Sequence, residues 1–173
     1  MIRKLRISNF ALIEHLELEL SKGFTILTGE TGSGKSILLN AFSLITGNRS
    51  TISVVGAYGK KAIVEILLSP HKDDHVFFER NQLDLDSEVI LRREVTSSGK
   101  SRAFINDSPV SLQLLKEYTS NKLLVHSQYN TYELKSKKTQ LELYDSMTGH
   151  DNDVMLFLES YDDLIRNREI VGE

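Results

Sequence analysis

Cysteine is absent from the 173-residue chain, which excludes disulfides and cysteine-ligated zinc. No apolar run approaches the roughly 20 residues a helix needs to cross a bilayer. The opening Met1-Ile2-Arg3-Lys4-Leu5-Arg6 carries no apolar core of the kind a secretory signal has. A cytoplasmic protein without membrane contact is the expectation. Positive charge is not in excess either: 21 Lys and Arg stand against 24 Asp and Glu, for a net charge of −3. The global basic footprint of non-specific DNA binding is therefore missing, and any nucleic-acid contact must be local. The basic clusters are Arg3/Lys4/Arg6, Lys60/Lys61, Lys100/Arg102 and Lys135/Lys137/Lys138, each readable as a solvated face.

What the chain does contain is an ordinary globular composition, 40% hydrophobic and 26% charged, enough to fill the core of one domain. It also contains Gly29-Glu30-Thr31-Gly32-Ser33-Gly34-Lys35-Ser36, which fits the phosphate-binding P-loop pattern G-x-x-x-x-G-K-[ST]. Each fixed position has its own chemistry. The glycines let backbone N–H groups turn inward toward phosphate oxygens. Lys35 would reach the β- and γ-phosphates, and the Ser36 hydroxyl would hold Mg²⁺. The following helix adds the positive end of its dipole.

The flanks fit the motif. Phe24-Thr25-Ile26-Leu27-Thr28 is an apolar, β-branched pattern that predicts a strand running into the loop. Lys35 to Thr46 reads as a buried helix, apolar around most of its girth, with Gly47-Asn48 as its stop. Upstream, Ile2 to Phe10 and Ile13 to Leu20 alternate as strands, joined to the P-loop strand through the turn Ser21-Lys22-Gly23. Downstream, Asn48 to Lys61 reads as a loop interrupted by Ile52-Ser53-Val54-Val55. Ala62 to Leu68, Glu88 to Thr96 and Arg102 to Asn106 read as strands, the last two joined by the turn Ser97-Ser98-Gly99-Lys100. Ser111 is a candidate N-cap for a helix to Thr119 with Leu112, Leu115 and Tyr118 on one face. A short strand over Lys122 to His126 and a helix over Leu134 to Met147 follow. In the tail, Val154, Phe157, Tyr161 and Leu164 form an a/d stripe over two heptads, which fits a coiled coil or an amphipathic helix packed on the domain.

Missing motifs narrow the class. No N-K-x-D or D-x-x-G is present, which argues against a GTPase. No Gly-Gly dipeptide exists, so there is no L-S-G-G signature loop. The nearest imitation of a Walker B strand, Ala103-Phe104-Ile105-Asn106-Asp107, sits among turn residues and reads as a small hairpin with Asp107 in its turn. A P-loop kinase acting on a small acceptor and a nucleotide-regulated DNA-binding or scaffolding module stay open.

Four stretches together carry a family resemblance: Ile7-Ser8-Asn9-Phe10-Ala11-Leu12-Ile13, the P-loop written G-E-T-G-S-G-K-S, Leu91-Arg92-Arg93-Glu94-Val95, and Ser101-Arg102-Ala103-Phe104-Ile105-Asn106. They resemble the N-terminal part of the RecN family, bacterial DNA-repair ATPases related to the SMC proteins. Glu30-Thr31 favours RecN over SMC, where Pro-Asn is more usual. The resemblance implies an α/β P-loop NTPase head of the ABC/SMC type, with a mixed sheet and an antiparallel β subdomain. It implies a head lobe over 1–149 and the helical start of a coiled-coil arm over 150–173. His126-Ser127-Gln128 matches the family's His-Gly-Gln Q-loop, so Gln128 would join Ser36 on Mg²⁺. Lys35 and the amides from Thr31 to Ser36 would stabilise charge on ATP. The signature and Walker B motifs would come from a C-terminal lobe of the same protein, and a second head would close over the γ-phosphate. The expected role is DNA double-strand break repair, with DNA bound by the full-length protein and association with the nucleoid. This chain alone is expected to bind ATP without appreciable turnover.

Overall fold

The computed structural model describes residues 1–30, 34–48, 52–72 and 74–120, together with 122, 123, 125, 140, 141, 144, 153, 156, 157, 160, 161 and 163–167. Two compact units emerge, Met1–Val125 and His126–Glu173. In the second, the described residues are helical, and the exposed rings of Phe157 and Tyr161 stack at 6.3 Å. Residues 140, 141 and 144 of the expected Leu134–Met147 helix are helical. Val154, the remainder of that helix and the expected 149/150 boundary lie outside the described residues.

The first unit is built on a six-stranded antiparallel sheet in the order β2-β1-β3-β4-β5-β6. Its strands are β1 (Ile2–Phe10), β2 (Ile13–Glu19), β3 (Lys61–Leu68), β4 (Val89–Thr96), β5 (Ser101–Ile105) and β6 (Ser108–Val110). Period-two patterning drives the pairing. Ala62, Val64, Ile66 and Leu68 of β3 all face inward, as do Val89, Leu91 and Val95 of β4. Register follows: Ile66 opposes Leu91 and Ala62 opposes Val95. A slip of one residue would turn all of these apolar groups to solvent. Each Val, Leu or Ile among them is worth about 1.5–3 kcal/mol when buried. On the outer face, Lys4 pairs with Glu17 and Glu19, Arg6 bridges Glu17 and Glu65, and Lys61 meets Glu94. These cross-strand pairs reinforce the same register.

Three helices lie with the sheet: α1 (Lys35–Ile45), α2 (Asp74–Arg80) and α3 (Leu112–Ser120). Ala41, Leu44 and Ile45 of α1 and Leu115 and Tyr118 of α3 enter the core. The predicted stop of α1 is present: Gly47 takes φ 87°, and the Asn48 N–H donates to Ser43 O at 3.2 Å, the pattern of a Schellman cap. A Cβ on Gly47 would lie 2.8 Å from Lys116 Cβ, so α1 and α3 touch there because the glycine has no side chain. Ser111 caps α3 as its sequence suggests, accepting the Leu114 N–H at 3.1 Å. Asp107 occupies the two-residue β5–β6 turn rather than the end of a Walker B strand.

Three expectations need correction. Phe24–Thr28 forms no strand and is exposed throughout. No strand of the described sheet lies beside it, and β-branched pattern alone cannot hold a strand without a ladder partner. Helix α1 is half-buried rather than enclosed, with Leu39 41% exposed. Lys122 lies in a turn, and Leu123 and Val125 are in no strand. Helix α2 and strand β6 carried too few periodic residues to be foreseen, and Ile52–Val54 is a single 3₁₀ turn.

The β1–β2 turn is riveted to the chain that follows α1. Asn9, 5% exposed and at φ 49°, donates through Nδ2 to Gly59 O at 3.0 Å and Lys61 O at 2.9 Å. Its Oδ1 accepts the Tyr58 N–H at 2.9 Å. Asn9→Ala strands those three backbone groups, and a loss of about 3 kcal/mol in urea unfolding is expected; an unchanged midpoint would show the loop to be held by other means.

Two buried charges sit among the described residues of this unit, and they differ in kind. Asp74 accepts the His71 N–H at 2.7 Å and meets the Lys122 ammonium, while Tyr118 hydrogen-bonds it from α3. Burial pushes the Asp74 carboxyl upward, but the His71 N–H and Lys122 outweigh it and hold its pKa below the ordinary value. Because the folded pKa is the lower one, this stabilisation is present above the unfolded value and is lost as pH falls through the folded one. In acid unfolding monitored by circular dichroism, the stability of Asp74→Asn below about pH 4 should therefore change less with pH than the wild type's. Arg93 is the other buried charge. It projects from β4 into the core at 2% exposure, and burial pulls its pKa down.

Candidate nucleotide site

The loop that the motif marks is held at both ends by geometry its residue types require. Gly34 is the N-cap of α1 at φ 91°, ψ 3°, a left-handed backbone that glycine adopts without strain. A Cβ there would meet nothing within 4 Å, so the requirement is conformational rather than steric. The first turn of α1 closes on the Gly34 carbonyl, which accepts from Ile37 N–H at 2.9 Å and Leu38 N–H at 3.2 Å. No side chain caps this helix start, and no acidic residue stands in its first turn. Its dipole is thus directed at whatever occupies the loop.

Lys35 completes the arrangement. Its Nζ donates to the carbonyls of Gly29 and, at 2.7 Å, Glu30. The ammonium draws the first two loop residues against the start of the helix while the residue itself stays exposed. Ser36 is exposed beside it in the first helical turn. Five of the sequence-predicted residues, Gly29, Glu30, Gly34, Lys35 and Ser36, thus share one place. Thr31, Gly32, Ser33 and Gln128 lie outside the described residues. A full positive charge, a helix start and a glycine hinge at a solvent-open loop suit a polyanionic group such as a phosphate chain.

The approach to the loop is unusual. Phe24, Ile26 and Leu27 are 89%, 66% and 50% exposed. Large apolar groups clustered in water are characteristic of interaction surfaces.

A family model described as AAA domain matches residues 4–169. The chain belongs to that family. AAA-domain membership carries nucleotide binding with it, in accord with the loop just described. The chain is also 41% identical over 154 residues to the DNA repair protein RecN of Vibrio cholerae serotype O1, covering 87% of this chain and 27% of that protein. It is 36% identical over 166 residues to RecN of Haemophilus influenzae, covering 93% of this chain and 30% of that protein. The resemblance to RecN read from the sequence is borne out, and the chain spans less than a third of the length of these relatives. Among solved structures, a chain from the structural biochemistry of ATP-driven dimerization and DNA-stimulated activation of SMC ATPases superposes with a TM-score of 0.58. It is 20% identical and covers 84% of this chain and 98% of its own length. The SMC-type head fold expected from sequence is therefore present in this AAA-domain chain.

Sequence could locate the loop but not the resting place of Lys35, because main-chain carbonyls leave no residue signature. The left-handed Gly34 was foreseeable from the motif. Gly34→Ala should lower stability by about 1 kcal/mol through backbone strain alone. Thermal melting of the variant tests this, and a wild-type melting point would mean the cap relaxes to an ordinary helical backbone.

Proposed function

We propose that this chain is the ATP-binding portion of an SMC-like ATPase head that acts in repair of DNA double-strand breaks and in recombination. The observation that carries the reading is the Gly34–Lys35–α1 arrangement in an AAA-domain chain 41% identical to a RecN. Lys35 and the backbone amides from Thr31 to Ser36 neutralise charge on the β- and γ-phosphates. Ser36 and Gln128 hold Mg²⁺ through their oxygens, which suit a hard cation; Ser36 is supported by its exposed place beside Lys35, and Gln128 by its sequence position alone. Mg²⁺ held there would supply positive charge to offset that of the phosphates.

The rest of the site comes from elsewhere. Phe24, Ile26 and Leu27 are the surface on which a C-terminal lobe of the same protein docks, supplying the ladder partner that segment lacks. That lobe supplies the general base, and a second head closes over the γ-phosphate with ATP between them. The SMC relative named above supports head pairing by its ATP-driven dimerization, which is its own property. DNA binding belongs to the full-length protein, in the cytoplasm and on the nucleoid. No helix among the described residues is long and apolar enough to cross a membrane. A small-molecule kinase is disfavoured by the RecN likeness.

The purified chain should bind a fluorescent ATP analogue weakly with Mg²⁺, lose that binding at least about tenfold in Lys35→Ala, equivalent to about 1.4 kcal/mol, and release no phosphate above background. Steady turnover that disappears in Lys35→Ala would overturn the divided-site reading. Transfer of phosphate to a small acceptor would restore the kinase.

A further inference from the structure

One end of the sheet carries charges of both signs that find no partner within the unit. That end is formed by the start of β1, the ends of β2 and β3, the start of β4 and the end of β5. At its β1–β2 side, a groove of about 720 Å³ is lined by Arg3, Lys4, Arg6 and Lys22, with the apolar groups of Leu67 and Ile90 between them and Glu88. Lys4 and Arg6 are held by glutamates of neighbouring strands. Arg3 and Lys22 are exposed and form no ion pair among the described residues.

The β4–β5 side has the opposite character. The segment 83–88 that leads into β4 reads Leu-Asp-Leu-Asp-Ser-Glu. Leu83 and Leu85 pack against the core, which leaves Asp84, Asp86 and Glu88 exposed. None of these three carboxylates has an ion pair among the described residues. The segment is also pinned. The Leu83 N–H donates to Phe78 O at 2.9 Å, and Asn106 Nδ2 donates to Asp84 O at 2.8 Å. Strand β2, which leads to Lys22, lies three strand spacings from β4, about 14 Å. The acids therefore stay on their own side of the sheet end. In a chain of net charge −3, two fixed patches of opposite sign make that end complementary to itself.

We propose that this sheet end is a self-association surface, and that the occupant of its basic groove is the acidic segment 84–88 of a second copy of the chain. A two-fold axis at the end of β3 exchanges β1 with β4 and β2 with β5 in the sheet order. Arg3 of each copy then meets Glu88 of the other, and Lys22 meets Asp84, which is tied to Asn106 at the end of β5. The same contact is made twice, the arrangement that closes a dimer. Leu67 and Ile90 supply an apolar centre within a charged rim. The surface is separate from the nucleotide loop and the pairing needs no nucleotide, so it is independent of the ATP-dependent closure of two heads.

Sedimentation equilibrium of the nucleotide-free 173-residue chain tests this. The wild type should dimerise in about 0.01 M sodium chloride and be monomeric in about 1 M, where the screening length falls from about 30 Å to about 3 Å. Lys22→Glu and Asp84→Lys each place like charges against one another at both contacts, and each should weaken dimerisation at least about tenfold while melting at the wild-type temperature. Mixed in equal amounts, the two variants again oppose unlike charges at both contacts, and the mixture should dimerise as strongly as the wild type. Neither a surface charge effect nor misfolding gives that recovery. A wild type still monomeric in low salt at about 1 mM, or a mixture of folded variants that stays monomeric, overturns the proposal. Association indifferent to salt and to both substitutions overturns it too, and assigns the contact to the exposed rings of Phe157 and Tyr161.

Discussion

The pairing of β1 with β3 is the constraint from which the rest of the first unit follows. Arg6 and Glu65, opposed in that ladder, are 59 residues apart in sequence. Everything between them, including the loop at Gly29 to Ser36 and the whole of α1, is enclosed in the circuit that this ladder closes. Burial of Leu5 and Ile7 against Val64 and Ile66 holds the ladder shut. Asn9 then fixes the exit, binding the chain that returns from α1 just before it enters β3. The position of Lys35 is thus set by sheet packing rather than by the loop's own preferences, since α1 is anchored in the core through Ala41, Leu44 and Ile45.

The polar chemistry of the unit is arranged around that sheet in two layers. Outer-face charges are compensated across strands, with Lys4, Arg6 and Lys61 each ion-paired to a glutamate of a neighbouring strand. The buried ones are treated unequally. Asp74 has a backbone donor, an ammonium and a phenol around one carboxylate, and ties α2 to the end of α3. Arg93 has no hydrogen-bond acceptor for its Nε or Nη2 among the described residues.

How much of this was legible in the sequence depended on whether the deciding partners were local. Strands β1, β3, β4 and β5 announced themselves because their alternation records which face is buried, and the Ser97–Lys100 turn was written in turn residues. Ser111 and Gly47 fixed helix ends through capping chemistry confined to a few neighbours. The P-loop was equally plain, since its glycines, lysine and serine act at fixed spacing. Phe24–Thr28 read as a strand and is not one here because a strand needs neighbours that pattern cannot supply. The roles of Asn9 and Asp74 were invisible for a related reason: their partners are backbone groups and side chains up to about fifty residues away, and an isolated asparagine or aspartate looks like a turn residue. Family likeness marked Arg93 as notable without hinting that it faces inward.

The contact between Gly47 and Lys116 has a mechanical consequence. An eleven-residue helix is a stiff rod about 16 Å long, and α1 carries the phosphate-loop lysine at one end and this bare glycine contact at the other. With no side chain to cushion it, the far end rests directly on α3. One end of α1 is thus seated on α3 and the other presents Lys35. Helix α1 is a strut as much as a phosphate-facing dipole.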